Sequence, residues 1–187
     1  MLIGILGYKF SGKDTAADHL VRKYNFKKIA FAQPLKDACR ILFNFDEDQL
    51  YGNKKEVIDP RWNVTPRTVF QYVGTEMFRN GINEIIPHIG NNFWVNLAIL
   101  NYKNIIKDDK EQNVVISDVR FNNEVDAIRN EKGIIIKITR PNLVSNDTHS
   151  SENINDLNYD YEIINDGTLE NLYEKIDGIF ESIKQCV

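Results

Sequence analysis

Gly7-Tyr8-Lys9-Phe10-Ser11-Gly12-Lys13-Asp14-Thr15 follows the apolar run Leu2-Ile3-Gly4-Ile5-Leu6 and precedes Ala16, Ala17, Leu20, Val21 and Tyr24, which fall at helical spacing. A run apolar on both faces marks a parallel strand covered on each side, so the stretch reads as strand, loop and helix. Glycines at 7 and 12 let the backbone curl so that successive N–H groups point inward. The helix N-terminus adds partial positive charge, and Lys13 extends toward outer phosphates. The loop reads as a Walker A motif. A plain glycine-rich connector would not require a lysine at this place in that order of elements.

The slot after the lysine usually carries Ser or Thr to hold Mg²⁺; here it is Asp14, and the hydroxyl follows at Thr15. A carboxylate beside a triphosphate is repelled unless a cation lies between them. Asp14 is therefore expected to meet Mg²⁺, directly or through water, and Thr15 to bond an inner phosphate.

The chain has 187 residues, 42% of them hydrophobic, with a formal net charge of −4. That length and balance suit one globular domain. No basic block points to nucleic acid, no apolar run approaches a membrane span, and the first strand begins without a basic leader. A cytoplasmic protein is expected, without nucleic-acid or membrane partners. Cys39 and Cys186 are too few for a disulfide framework or a zinc site and read as bystanders.

Working outward, Phe26 to Ala32 reads as a second strand. Gln33-Pro34 then opens a helix with Leu35, Ala38, Cys39, Leu42 and Phe43 inward; Lys36 in its first turn faces either solvent or a cleft. From Phe45 to Val64 the periodicity lapses into a polar loop of a length more often functional than idle. Thr65-Pro66-Arg67 starts the next helix, with Val69, Phe70, Val73 and Met77 as its apolar face and Gly74 inside it. Gly74 implies a close approach there, by a ligand or by a neighbouring helix. Trp94 heads another helix, with Leu97, Ala98, Asn101, Tyr102 and Ile105 inward; from spacing alone it reads as a core tryptophan, with stacking on a base as the other reading.

Val114-Val115-Ile116-Ser117-Asp118 is a buried strand ending in an acid, as a Walker B strand does when its carboxylate meets the Mg²⁺ shell or a substrate hydroxyl. Arg120 and Glu124 follow at the start of a helix. Ile134 to Ile138 is a further buried strand, stopped by Arg140-Pro141, and the polar, aperiodic segment after it has the composition of a lid, at about 141–158. Tyr159 to Ile164 makes the last strand, Asn165-Asp166-Gly167 the turn, and Thr168 caps a final helix with Leu169, Leu172, Tyr173, Ile176, Phe180 and Ile183 inward. Strands alternating with helices imply a three-layer α/β/α sandwich with a mostly parallel sheet and a ligand crevice at the strands' carboxyl ends. The helical insertion at about 45–110 carries Arg61, Arg67 and Arg79, which suit an anionic acceptor. A GTPase reading fails, because Asn53-Lys54-Lys55-Glu56 has neither the strand context nor the final residue of a guanine-reading motif.

The set formed by Lys9, Ser11 to Ala16, Gln33 to Asp37, Asp59-Pro60-Arg61-Trp62, Thr65-Pro66-Arg67, Gly74-Thr75-Glu76, Asp118-Val119-Arg120 with Glu124, Arg140-Pro141, Ser145 to His149 and Asn165-Asp166-Gly167 resembles the deoxynucleoside monophosphate kinases of phages and large DNA viruses. The resemblance runs nearly end to end, and an Asp after the P-loop Lys is usual in that family. It implies a P-loop fold of the nucleoside monophosphate kinase type, acting on ATP and a deoxynucleoside 5′-monophosphate with Mg²⁺. Lys9, Ser11, Gly12, Lys13, Asp14, Thr15, Arg140, Asn165, Asp166 and Gly167 would serve ATP. Leu35, Lys36, Arg61, Arg67, Gly74, Thr75, Trp94, Asp118, Arg120 and Glu124 would serve the monophosphate, which favours a ligand role for Gly74 and Trp94. Asp14 and Asp118 would meet the metal, and Lys13, Arg67, Asp118 and Arg120 would carry catalysis. A dephospho-coenzyme A kinase-like enzyme and a catalytically idle ATP-binding module are the alternatives; a homodimer stays open.

Overall fold

The computed structural model describes residues 1–141, 143, 154 and 156–185. The chain divides into two compact units, Met1–Ala30 with Ala98–Val187, and Phe31–Leu97. The second unit overlaps the expected insertion, but it begins earlier and ends inside a helix.

The first unit is built on five parallel strands: β1 (Leu2–Leu6), β2 (Lys27–Ile29), β3 (Val114–Val119), β4 (Ile134–Thr139) and β5 (Tyr161–Ile164), in the order β2-β3-β1-β4-β5. All five residues of β1 are buried, as its unalternating apolar run requires of a central strand. On one face of the sheet, Ile3, Ile5, Val115, Ile136, Ile138 and Ile163 pack against Ala16, Ala17 and Leu20 of α1 (Lys13–Tyr24) and Leu172, Ile176 and Phe180 of α7 (Leu169–Gln185). Helix α6 (Asn122–Asn130) presses so closely on the opposite face that a Cβ on Gly4 would lie 2.7 Å from Ile128 Cδ1. The expected three layers are present, and the described sheet is wholly parallel. Leu169 is exposed, because it opens the first turn of α7 ahead of the buried stripe.

The second unit contains α2 (Gln33–Phe43), α3 (Glu47–Leu50), a 3₁₀ turn at Asn53–Glu56, α4 (Pro66–Gln71), a π-helix at Tyr72–Asn80, a 3₁₀ turn at Gly81–Glu84 and the start of α5 (Phe93–Asp108). Its core comprises Leu35, Cys39, Phe45, Leu50, Val69, Val73 and Trp94. Three expectations change here. The polar stretch after Phe45 is not an open loop: Asp46 accepts a hydrogen bond from Gln49 N while Gln49 Oε1 accepts one from Asp46 N, a reciprocal cap that starts α3. Leu42 is exposed, because α2 ends at Phe43 and the stacked pair Phe43 and Phe45 fills the core beside it.

The third change is one of winding. Met77 lies on the surface, while Phe78 packs against Phe93 and Trp94. A π-helix bonds i to i+5 and winds more widely than an α-helix, which moves the inward position after Val73 from 77 to 78. In α5, Ala98, Tyr102 and Ile105 are buried as expected, but Asn101 is exposed, one position off that stripe, where its amide keeps access to water.

Candidate active site

At the carboxyl end of β1 the chain makes a tight loop, in which Ser11 N donates to Tyr8 O at 3.1 Å and Ala16 N to Gly12 O at 2.9 Å. Phe10 (φ 67°) and Gly12 (φ 104°) both take left-handed conformations, which turn successive peptide N–H groups to one side. Space is short around the loop: a Cβ on Gly7 would lie 2.5 Å from Ser11 Oγ and 2.7 Å from Ile138 O. Lys13 is buried, with Nζ 3.3 Å from Tyr8 O. Ser11 Oγ is buried with no hydrogen-bond partner. A buried lysine and a buried, unpartnered hydroxyl within one loop curled by two left-handed residues make the arrangement that a bound phosphate completes. Lys9 and Arg140 are exposed at the loop and just beyond β4, and Thr15 is half-buried.

Asp14 is exposed on the first turn of α1, where Lys28 of β2 approaches it at 3.4 Å and Asp18 at 2.9 Å. Nothing in the linear pattern of β2 marks Lys28 for this place; only the parallel pairing of β2 with β3 sets it beside α1. The second acid also owes its place to pairing. Between Gly4↔Ile116 and Leu6↔Val119 the register slips, so that Ser117 and Asp118 of β3 together oppose Ile5. Such a bulge re-aims a side chain at the strand's end, and here it leaves Asp118 half-buried while Ser117 is buried. Glu124 is buried, and its Oε2 accepts from Arg120 N at 2.7 Å and Phe121 N at 3.2 Å, capping α6 and fixing the backbone at Arg120.

The turn after β5 reaches the phosphate loop. Asn165 Nδ2 donates to Ser11 O at 2.8 Å, and Lys175 Nζ braces the turn through Ile164 O at 2.6 Å and Asp166 Oδ1 at 2.9 Å. The Lys175 ammonium holds the Asp166 carboxyl below the usual carboxylate range. Lys13, Asp14, Thr15, Asp118, Arg120, Glu124 and Asn165 thus all lie in the first unit, at the carboxyl ends of its strands. The lid expected at about 141–158, including Ser145 to His149, falls mainly outside the described residues.

The residues expected on the acceptor lie in the second unit, apart from Asp118, Arg120 and Glu124. Lys36 Nζ lies over the Tyr51 ring at 4.2 Å, and Arg67, in the first turn of α4, pairs with Glu56 at 3.5 Å. Thr65 Oγ1 caps α4 by accepting from Thr68 N at 3.1 Å. Gly74 is where three helices meet: a Cβ there would lie 2.8 Å from Leu35 Cδ2 of α2, and Gly74 O accepts from Trp94 Nε1 of α5 at 2.9 Å. The close approach read from the sequence is therefore made by protein, and Trp94 is a buried core residue with its N–H used. Thr75 is half-buried on the π-helix next to it.

Arg61 has a structural employment that its spacing did not reveal. Nε donates to both Asp59 oxygens, at 2.9 and 3.2 Å, Nη1 to Asn44 O at 3.1 Å and Nη2 to Gln49 Oε1 at 3.3 Å. Trp62 Nε1 donates to Phe43 O at 2.9 Å. Arg61 and Trp62 together satisfy carbonyls at the end of α2, which helix geometry leaves without intrahelical partners. Arg61 holds the Asp59 carboxyl well below the usual range, Gln49 adds to this, and burial opposes it.

Among the described residues no cluster of three or more His, Cys, Asp or Glu forms a metal cage, and no helix is long and apolar enough to cross a membrane. The chain is similar over 98% of its length to a dephospho-CoA kinase from Campylobacter jejuni, covering 97% of that chain at a TM-score of 0.51 and 16% identity, a likeness of fold. A putative deoxynucleotide monophosphate kinase of Acanthamoeba polyphaga mimivirus is 40% identical over 99% of this chain and 98% of its own length. The deoxynucleotide monophosphate kinase of Enterobacteria phage T4 is 26% identical, over 94% of this chain and 96% of its own length. Residues 44–176 match the family model of deoxynucleotide monophosphate kinase. With that match spanning most of the chain and a 40% identical relative end to end, the chain belongs to the deoxynucleotide monophosphate kinase family.

Proposed function

We propose a division of labour for the reaction of this family, the ATP-dependent phosphorylation of a deoxynucleoside 5′-monophosphate to the diphosphate. The loop from Lys9 to Thr15 holds the triphosphate of ATP, with Lys13 on the outer phosphates. The observation that carries this reading is the buried Lys13 together with the unpartnered Ser11 hydroxyl, both in a loop curled by two left-handed residues. Asp118 and Arg120 orient the acceptor, and Arg67 and Lys36 neutralise its phosphate. Arg61, Gly74, Trp94 and Glu124 serve by fixing the backbone that presents those residues, the first three in the second unit and Glu124 at Arg120. Arg140, at the end of β4, adds charge on the ATP side.

Phosphoryl transfer of this kind needs alignment of donor and acceptor oxygens and neutralisation of charge, with no covalent protein intermediate. The two acids fit Mg²⁺. It takes one or two carboxylates together with phosphate oxygens and water, so an exposed Asp14 and a half-buried Asp118 suffice without a protein cage. When bound, the ion neutralises charge on the transferring phosphoryl group. Asp14 and Asp118 would hold it. A cytoplasmic location suits these substrates.

The dephospho-coenzyme A kinase alternative is disfavoured, since the likeness to that enzyme is one of fold while the family match and the end-to-end relative are deoxynucleotide monophosphate kinases. ADP release measured with ATP, Mg²⁺ and each common deoxynucleoside and ribonucleoside monophosphate tests the reading, with Lys13→Ala as control. Turnover on deoxy forms that the variant lacks is expected. ATP binding without turnover on any monophosphate would instead favour an idle nucleotide-binding module.

A further inference from the structure

The side chain of Asn165 lies against the backbone of the phosphate loop: Nδ2 donates to Ser11 O at 2.8 Å, while its own N donates to Thr139 O at 2.7 Å. A Cβ on Gly12 would fall 2.6 Å from that same Nδ2, so the amide is seated against the Ser11–Gly12 peptide. No cis peptide occurs among the described residues, and in a trans peptide the C=O and the following N–H point in opposite directions. An outward Ser11 C=O, held by Asn165, therefore turns the Gly12 N–H away from Asn165. That is the side to which an anion-binding loop must present its N–H groups. The Lys175 contacts to Ile164 O and Asp166, with the Thr168 and Asn171 cap of α7, hold the turn that carries Asn165.

We propose that Asn165 is a positioning residue that presets the phosphate loop by locking the Ser11–Gly12 peptide, so that its contribution to ATP affinity is made through the phosphates and not through the nucleobase. Without the amide, Ser11 O loses its donor and the peptide is free to rotate, taking the Gly12 N–H out of the anion site. This rests on the reading of the loop as the triphosphate site, and the test separates the two.

Inorganic tripolyphosphate has the charge of the ATP tail and no base. Its affinity for wild type, Asn165→Ala and the shape-matched Asn165→Leu, measured by titration calorimetry beside ATP, isolates the phosphate contribution. Losing the donor to one carbonyl is expected to weaken tripolyphosphate and ATP by the same factor, about ten-fold, with KM for the monophosphate unchanged. Unaltered tripolyphosphate affinity with weakened ATP would assign Asn165 to the base and overturn the proposal, leaving the phosphate loop intact. Failure of wild type itself to bind tripolyphosphate would overturn both. A wild-type measurement covers variants that do not fold: on adding tripolyphosphate to ¹⁵N-labelled protein, the Gly12 amide resonance must shift, and a stationary Gly12 signal refutes the proposal.

Discussion

Lys13 brings a full positive charge into a buried position next to the loop carbonyl of Tyr8, an arrangement whose value appears when negative charge arrives. Lys13→Met keeps the stem and removes the charge; kcat is expected to fall about 10²–10³-fold, the cost of deleting one preorganised electrostatic partner. Steady-state ADP release reads it directly. Gly12 is constrained differently, by its φ of 104° and by the Asn165 amide where a Cβ would stand. Gly12→Ala should lower stability by roughly 1–3 kcal/mol and abolish tripolyphosphate binding, seen in denaturant titration and calorimetry. For Asp59 the sign of the pH effect follows from its depressed folded-state value. Its pairing with Arg61 stabilises the fold above the unfolded carboxylate range, near pH 4, and that stability is lost as pH falls toward the folded value. Arg61→Met should thus lower the urea midpoint most at pH 7, with the deficit beginning to shrink only below about pH 4 and shrinking further as pH falls toward the folded value; a deficit that stays constant on acidification below about pH 4 would contradict the assignment.

At the scale of elements, the π-helix Tyr72–Asn80 is where the second unit departs from ordinary winding, and Trp94 secures it through Gly74 O. Trp94→Phe retains most of the ring volume and deletes the donor. Leaving that buried carbonyl without its indole partner is expected to cost about 1–3 kcal/mol. On the proposed reading, KM for the monophosphate should rise while KM for ATP stays near wild type, because Trp94 and Gly74 fix the backbone that presents Lys36 and Arg67, whereas the loop from Lys9 to Thr15 serves ATP. Equal changes in both KM values would point to general destabilisation. The amphipathic pattern made both the α4 start and Val69 and Val73 legible, since a Thr-Pro cap and a regular spacing are local signals. The pattern does not show the switch to π winding after Gln71, in a segment that packs against Leu35 of α2 and Phe93 and Trp94 of α5; regular helical spacing therefore points Met77 inward, where Phe78 belongs.

For the molecule as a whole, the division into two compact units gives ligand-specific expectations. ATP or tripolyphosphate alone should slow amide hydrogen exchange in the first unit, around residues 7–16 and the turn at 165–167. A deoxynucleoside monophosphate alone should slow it around α2, α4 and the π-helix in the second unit, and at Asp118 to Glu124 in the first. Exchange mass spectrometry resolves these segments, and protection by the monophosphate confined to the ATP loop would refute the assignment of Lys36 and Arg67.

Sequence alone made legible the strand–loop–helix at the N-terminus, the parallel α/β/α class, the acid at the end of β3 and the family to which the set of motifs belongs. These depend on periodicity, on glycine and proline, and on short-range order, all of which are written along the chain. Tertiary structure alone decided the bulge that re-aims Asp118, the reach of Lys28 to Asp14, the anchoring of Arg61 beneath α2, the approach of Leu35 and Trp94 to Gly74, and the lock of Asn165 on Ser11. Each joins segments distant in sequence, and a side chain's partner there is fixed by strand register and helix packing, quantities that no local pattern carries.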